Sequence, residues 1–164
     1  MPGVVSERVT AGRAVMQSFE FQVEVNAPLE TVFVVYLDID RWRHRNLFGD
    51  IRWVQGLPWE EGSRLRIETV APIRSSIDQV VLQFEPGRGV VYISHVFGIT
   101  CETRVVFLPV TESQTTIQVG MQLVGTVSRA LGFAIEPAIK KATMGFFEEL
   151  RRECEGAARG TAGA

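Results

Sequence analysis

The chain has 164 residues, of which 46% are hydrophobic and 22% charged, and its formal net charge is −2 at pH 7. This length and composition predict one globular domain that buries a sizeable core. The small negative charge argues against a protein that binds nucleic acid by neutralising phosphates, so we expect no nucleic acid among its partners.

The first sixteen residues lack the apolar stretch of a secretory signal, and no apolar run in the chain reaches the length of a membrane span. We therefore expect a cytoplasmic protein without membrane insertion. Residues 1–16 are interpreted as an N-terminal extension, and the folded domain is predicted to cover 17–156.

Residues 19–25 alternate between apolar and polar side chains, which is the period of a half-buried strand. Pro28 suits the first position of a helix, and an apolar stripe at helical spacing over 29–37 predicts that helix. Asp38 and Asp40 favour a break and a second, short helix. We expect Trp42 to anchor the second helix to the core.

From about residue 51 the hydrophobic period changes to two, and short turns separate the apolar segments. This pattern predicts several strands that form an antiparallel meander. The segments are DIRWVQG, SRLRIETV, SIDQVVLQFE, VVYISHVF, CETRVVFLPV and TTIQVGMQLVG.

A long helix is predicted from about Ser128 to Glu155, because apolar residues recur there at steps of three or four. Pro137 lies inside this helix and is expected to kink or split it, since proline removes a backbone hydrogen bond. Residues 157–164 are small and polar and are predicted to be a flexible tail.

This order of elements resembles the START-like (SRPBCC) superfamily, which includes polyketide cyclases, lipid-transfer domains and CoxG-type proteins. The resemblance rests on APLETVFVVYLDIDRW (27–42), WEEGSRLRIE (59–68) and FFEELRRECE (146–155). It implies an α+β helix-grip fold, in which a curved antiparallel β-sheet wraps around a long C-terminal helix and two short helices follow the first strand. It also implies a cavity between sheet and helix that holds a small hydrophobic or amphipathic ligand.

Residues 98–99, Gly-Ile, suit a two-residue hairpin turn with glycine first. That turn predicts that Val96 lies opposite Cys101 and that Ser94 lies opposite Thr103. The same register puts charged residues on the other face of the hairpin, so the face that carries these four residues is expected to point inward.

The loop LPWEEG is expected near the mouth of the cavity, where Trp59 would gate access, while Trp53 is expected in the core. The predicted ligand-binding residues are Trp59, Tyr92, Ser94, Cys101, Thr103, Val105, Phe107, Met121, Leu131, Ile135 and Ile139.

Few residues of the sequence are candidates for a catalytic or metal-binding role. His95 and Glu102 are predicted to face each other, either as an acid–base pair or, as we favour, as a cross-strand pair on the outer face. Cys101 lacks a predicted neighbour that would lower its pKa, so we interpret it as a small buried hydrophobic residue rather than a nucleophile. Neither the two histidines nor the two cysteines have metal-site spacing, and no phosphate-binding loop is present, so no metal or cofactor is predicted.

The internal polar residues Tyr92, Ser94 and Thr103 have two interpretations of equal weight. They either form hydrogen bonds with one another or with a buried water, or they orient the polar end of an apolar ligand.

The first hypothesis for function is therefore a noncatalytic carrier of a small hydrophobic ligand. The second is a polyketide aromatase/cyclase-type enzyme that uses these three residues. The third is a protein-interaction module, and the sequence leaves open whether the chain is a monomer or a homodimer.

Overall fold

The computed structural model of the chain describes residues 15–42, 48–70, 74–96, 98–125 and 129–163. These residues form a curved antiparallel sheet of seven strands, with two short helices after the first strand and one long helix at the end. The strands are β1 (Val15–Val25), β2 (Phe48–Gln55), β3 (Arg64–Thr69), β4 (Ser75–Glu85), β5 (Gly89–Val96), β6 (Ile99–Thr111) and β7 (Gln114–Gly125). The helices are α1 (Leu29–Leu37), α2 (Ile39–Trp42) and α3 (Arg129–Ala162).

The strand order is β1-β7-β6-β5-β4-β3-β2. Strands β2 to β7 follow one another as the predicted meander, and β1 pairs with β7 along its whole length. Since β1 and β2 are opposite edges of the sheet, α1 and α2 connect one edge to the other. The α+β helix-grip architecture predicted from the sequence is confirmed.

The two short helices begin and end at residues that the sequence marks. Pro28 is the N-cap of α1, one position earlier than expected, and Asp38 ends the helix in an extended conformation. The Asp38 carboxylate accepts a hydrogen bond from the backbone N–H of Asp40, at 3.2 Å, in the first turn of α2. Trp42 is buried and its Nε1 donates to the carbonyl of Tyr36 at 3.0 Å, so its predicted role as an anchor is confirmed.

Helix α3 is continuous from Arg129 to Ala162, so Pro137 does not split it. The helix also continues seven residues beyond its predicted end at Glu155. Ala157 and Ala158 pack against the core in this extra segment, which explains why a small, polar stretch continues the helix. The boundary of the predicted tail therefore does not coincide with the end of the helix.

The second half of α3 is fixed over the turn that joins β1 to α1. Glu155 accepts hydrogen bonds from the backbone and side-chain amides of Asn26, at 3.1 and 3.2 Å. Phe147 on α3 lies edge-on to Phe21 of β1, with ring centroids 5.8 Å apart. The closest backbone approaches of α3 are to β1 and α1.

The β5–β6 hairpin differs from its predicted register by two residues. Val96 lies opposite Ile99, and Ser94 lies opposite Cys101 instead of Thr103. The turn therefore occupies residues 97–98 rather than 98–99, and Gly98 takes its second position with a φ of 75°. Phe97 lies outside the described residues. A shift of the turn by one position changes the register by two, so each side chain keeps its predicted face.

Candidate functional site

Two rows of facing residues cross the inner face of the sheet where β4, β5 and β6 run side by side. Gln79, Ser94 and Cys101 form one row, because Ser94 pairs with both of the others. Val81, Tyr92 and Thr103 form the next row in the same way. We call the polar members of these rows the polar patch: Gln79, Tyr92, Ser94, Cys101 and Thr103.

The polar patch lies in an interior where none of the described residues that are buried as a whole is charged, although one carboxylate oxygen of Glu153 on α3 is buried. The buried polar residues of the described chain are Ser63, Gln79, Thr100, Thr103 and Thr115, all of them neutral, and Thr100 among them lies on the outer face opposite His95. Charged side chains of the strands lie on the outer face, where Arg66 pairs with Asp78 at 2.9 Å. The interior is therefore both apolar and uncharged around a few neutral hydrogen-bonding groups.

Hydrogen bonds satisfy the polar patch only in part. The Ser94 hydroxyl donates to Oε1 of Gln79 at 3.5 Å, and the Cys101 thiol lies 3.7 Å from the hydroxyl of Thr103. The amide nitrogen of Gln79 is buried without a hydrogen-bond partner. Buried polar groups without a partner are rare in folded proteins, so the Gln79 nitrogen is an exception in this interior.

Tyr36 of α1 faces the polar patch from the opposite side and carries a second such group. Its side chain is 1% exposed, and its hydroxyl lacks a hydrogen-bond partner. The Tyr92 hydroxyl is near enough to affect its pKa, although the two oxygens do not meet hydrogen-bond geometry. Burial, and then Tyr92, raise the pKa of Tyr36 well above its usual value.

The ionisable groups of the polar patch are held in their neutral forms. Burial, and then the nearby Cys101 thiol, raise the pKa of Tyr92, and Thr103 opposes this shift. Burial raises the pKa of the Cys101 thiol to about 11. Because a thiolate is the reactive form of cysteine, this pKa supports the interpretation of Cys101 as a packed residue rather than a nucleophile.

An aromatic cluster fills the interior beside the polar patch, with Tyr36 at its centre. The ring centroid of Tyr36 lies 5.1 Å from that of Phe107 and 5.6 Å from those of Trp42 and Trp59. Aromatic pairs at such separations add to the stability gained from burial alone. Phe147 of α3 stacks on Tyr36, with ring centroids 6.3 Å apart.

Trp59, the expected gate of the cavity, lies inside this aromatic cluster. Its side chain is 6% exposed, and its Nε1 donates to the carbonyl of Leu37 at 2.9 Å. Its φ of 65° is unusual for a residue with a side chain, and such strain persists only where the surroundings hold the residue in place. Trp59 thus ties the β2–β3 loop to α1, and its contact with a ligand stays a prediction.

The other predicted ligand-binding residues divide between the sheet and α3. Val105, Phe107 and Met121 are buried on the inner face of β6 and β7. Ile135 and Ile139 are partly buried and pack against the core from α3, while the side chain of Leu131 lies outside the described ones. The structure brings these groups to one interior, and their role in binding stays a prediction.

Sequence reasoning missed Gln79 and Tyr36. The signal for Gln79 is the alternation in β4, because Gln79 shares its face with Ile77 and Val81. The signal for Tyr36 is its place in the apolar stripe of α1, which buries a hydroxyl as well as a ring. Neither signal indicates whether the buried polar atom has a partner, because that depends on distances across the interior.

The predicted facing of His95 and Glu102 is wrong. His95 lies opposite Thr100, with its Nδ1 3.2 Å from the Thr100 hydroxyl, and Glu102 lies opposite Ile93. The shift in hairpin register is the reason. Both side chains remain on the outer face, away from the polar patch.

The outer face also carries an open groove of about 360 Å³ around Gly120. Its rim includes the exposed side chains of Glu20, Gln22, Arg104 and Gln118. Sites for small molecules are usually enclosed and mostly apolar, so this groove is a weaker candidate than the interior. In the described ranges, no helix is both long and apolar enough to cross a lipid bilayer.

Comparison with known proteins identifies the fold. No protein-family model and no curated protein matches the chain. Many solved structures match most of it, among them the following three. Ara h 8.0201 has a TM-score of 0.72 at 13% identity, over 84% of this chain and 97% of that chain. An aromatase/cyclase from a Streptomyces species has a TM-score of 0.71 at 13% identity, over 85% and 93%.

The third is a START superfamily protein from Mycobacterium smegmatis, with a TM-score of 0.64 at 17% identity, over 88% of this chain and 98% of that chain. At such identities structural likeness establishes the fold and not the activity. The chain therefore has the START-like, helix-grip fold expected from its sequence.

Proposed function

We propose that this protein binds a small, mostly apolar molecule in the interior between α3 and the inner face of the sheet, without catalysing its conversion. The polar patch carries the proposal. It is a compact set of neutral hydrogen-bonding groups inside an apolar interior. The Gln79 nitrogen within it and the Tyr36 hydroxyl beside it are buried without partners. A few polar groups in an otherwise apolar site are what fix the orientation of a small ligand.

Partial exposure along β4 and β5 supports room for a ligand. Ile77, Tyr92, Ser94 and Val96 belong to the inward-facing set, yet each remains partly exposed. Native interiors are normally packed as densely as organic crystals. Inward-facing residues that keep some exposure therefore favour an accessible hollow above these two strands.

The chemistry of the interior favours binding over catalysis. General acid–base catalysis works best with a group whose pKa lies near the working pH. Cys101, with a pKa of about 11, and Tyr36 and Tyr92, with raised pKa values, stay protonated at neutral pH. Such groups donate hydrogen bonds but do not accept a proton from a substrate.

An aromatase/cyclase-type enzyme is the second candidate. The observation in its favour is that Tyr92, a protonated donor, lies directly opposite Thr103, so the two hydroxyls could polarise a substrate carbonyl. If so, turnover of a polyketide-like chain falls in Tyr92→Phe and Thr103→Val while the fold is kept. Unchanged turnover in both variants would exclude this use of the polar patch.

Native mass spectrometry of the purified protein, followed by organic extraction, tests the proposed binding. Ser94→Phe fills the hollow from the inner face of β5, whereas Ile93→Phe adds the same ring to the outer face of the adjacent position. We expect a bound small molecule in the wild-type protein and in Ile93→Phe, and its loss in Ser94→Phe.

A bound molecule that survives in Ser94→Phe would place the ligand elsewhere and contradict the proposal. If the purified protein carries no extra mass, a thermal-shift screen with apolar alcohols, ketones and fatty acids takes the place of extraction. A wild-type protein whose melting temperature responds to none of these compounds would also contradict it.

A further inference from the structure

We infer that the ligand is uncharged and presents a hydrogen-bond-accepting oxygen, as a carbonyl or a hydroxyl, to the polar patch. The inference rests on the proposed binding function and names the chemical class that the site would select. It excludes carboxylates, phosphates and ammonium groups from the polar patch itself.

Gln79 supplies the first reason. Its side chain is 3% exposed and lies on the inner face of β4, and the Ser94 hydroxyl occupies its carbonyl end. The NH₂ end is buried without a partner. A buried amide N–H without a partner costs roughly as much free energy as one lost hydrogen bond, and an acceptor atom on a ligand would recover it.

Tyr36 supplies the second reason from the opposite side of the interior. Its hydroxyl is buried, lacks a hydrogen-bond partner and stays protonated. A protonated phenol is a good hydrogen-bond donor. Two buried donors, one on β4 and one on α1, therefore face the interior without a hydrogen-bond partner at normal geometry, although the Tyr92 hydroxyl lies close to that of Tyr36. Such a pair of donors is the complement of a ligand rich in acceptors.

Charge supplies the third reason. The described polar residues that are buried as a whole are all neutral, and the one further buried ionisable atom, a carboxylate oxygen of Glu153 on α3, is no counter-ion for an anionic ligand. A ligand carboxylate at the polar patch would lose its hydration and gain no opposite charge, and an isolated buried charge is far more costly than a buried neutral group. A carbonyl or hydroxyl avoids that cost and still accepts from Gln79 and Tyr36.

Lys140, an exposed residue of α3, supplies a cation beside the core, and a ligand held by that cation is the rival arrangement. The ammonium of Lys140 on α3 lies 5.7 Å from the ring centroid of Phe19. An anionic amphiphile could leave its headgroup beside Lys140 and insert only its apolar part. In that arrangement binding depends on Lys140 and not on Gln79.

Three probes of nearly equal shape separate these arrangements: 2-acetylnaphthalene, 2-ethylnaphthalene and 2-naphthoate. They present a neutral acceptor, no acceptor and a carboxylate, respectively, and the phenyl analogues repeat the test at smaller size. Affinities come from NMR titration of the full chain at pH 7.5. The variants are Gln79→Leu, which removes the amide, and Lys140→Gln, which removes the cation.

We expect the wild-type protein to bind the ketone roughly fivefold more tightly than the alkyl probe, which is the usual net value of one hydrogen bond. We expect the carboxylate to bind at least about tenfold more weakly than the ketone. Gln79→Leu should abolish the preference for the ketone and keep the affinity for the alkyl probe, while Lys140→Gln should change neither. If Gln79→Leu does not fold, Tyr36→Phe takes its place and should reduce the same preference.

The opposite outcomes are distinct. Equal affinities for the ketone and the alkyl probe would overturn this inference and leave the proposed binding function standing. Tightest binding of the carboxylate, lost in Lys140→Gln, would overturn it in favour of an anionic ligand held by that cation. Binding of no probe in either series would overturn both the inference and the function on which it rests.

Discussion

The aromatic cluster and the polar patch lie side by side in one interior and are built differently. Tyr36, Phe107 and Phe147 are among the most completely buried large side chains, and each contacts at least one of the other two rings. In the polar patch, Tyr92 and Ser94 point inward and stay partly exposed. One region is almost completely buried, whereas the other remains partly exposed and includes the unpartnered amide nitrogen of Gln79.

Under the proposed function, the difference assigns stability to one region and ligand recognition to the other. Each fully buried large side chain contributes about 1.5–3 kcal/mol of hydrophobic free energy, so the aromatic cluster can hold the sheet against α1 and α3. Imperfect satisfaction at the polar patch costs some of that stability. Proteins tolerate such costs mainly where a site has a function.

Truncation of the aromatic cluster should have the largest effect. Phe107→Ala removes a ring that is 1% exposed and lies between Phe33 and Tyr36, so we expect the free energy of unfolding to fall by about 3–5 kcal/mol. Denaturant unfolding followed by circular dichroism measures it. Leu108→Ala, at the next position on the outer face, is the matched control and should cost less than about 1 kcal/mol. Similar losses in both variants would refute the assignment of the core.

Adding a ring to each region should also distinguish them, with smaller changes in the free energy of unfolding. Val105→Phe adds a ring to a fully buried position between Val90 and Val119 and should cost about 1–3 kcal/mol. Val96→Phe adds the same ring to an inward-facing position that is partly exposed. If the hollow is present, that change costs less than about 1 kcal/mol. Thermal and denaturant unfolding of both variants provide the comparison, and an equal penalty would mean that the hollow is already filled.

Most of the fold could be predicted from the sequence because its signals are local. Alternating apolar and polar residues predict the strands. The apolar stripe over residues 29–37, flanked by Pro28 and Asp38, predicts the first helix. The long helix was predicted with a wrong end, because the packing of Ala157 and Ala158 on the core is a tertiary effect that composition does not reveal.

The sequence predicts which face of the sheet each residue of the candidate site occupies. It does not predict which residues lie opposite one another. The turn at Gly98 was misplaced by one position, because a glycine with positive φ suits either position of a two-residue turn, depending on turn type. The predicted inward-facing residues of β5 and β6 are still correct, because the register differs by two residues and side chains alternate faces with a period of two. The unpartnered atoms of Gln79 and Tyr36 could not be found, because they depend on which side chains meet across the interior.

The neutral forms of the polar patch predict a loss of stability in alkali. The pKa of the Cys101 thiol is about 11 in the folded protein, raised from an ordinary value of 9.0, so above about pH 9 the unfolded chain binds fewer protons than the folded one. Stability therefore falls as pH rises, by at most about 1.4 kcal/mol per pH unit for this thiol, and the raised pKa values of Tyr36 and Tyr92 act in the same direction above about pH 10. Urea unfolding of the wild-type protein and Cys101→Ala between pH 8 and pH 10.5 should give a shallower decline for the variant. Parallel declines would show that the thiol is not shielded from water.

The smallest expected effect is the most informative about the polar patch. Tyr36→Phe removes a hydroxyl that is buried and unpartnered, and keeps the ring that contacts Trp42, Trp59 and Phe107. Loss of an unsatisfied hydroxyl should leave the free energy of unfolding within about 0.5 kcal/mol of the wild type, or raise it. Thr103→Val is the matched comparison, because it removes a hydroxyl that lies 3.7 Å from the Cys101 thiol and should cost about 1 kcal/mol.

A loss above about 1.5 kcal/mol in Tyr36→Phe would mean that this hydroxyl already has a partner in the folded protein, such as a bound water. The donor on α1 would then be occupied, and the selection of an acceptor-bearing ligand would depend on Gln79 alone. A neutral result together with a reduced preference for the ketone probe would separate the two properties of Tyr36. Its ring would belong to the aromatic cluster and stabilise the fold, while its hydroxyl would belong to the site and recognise the ligand.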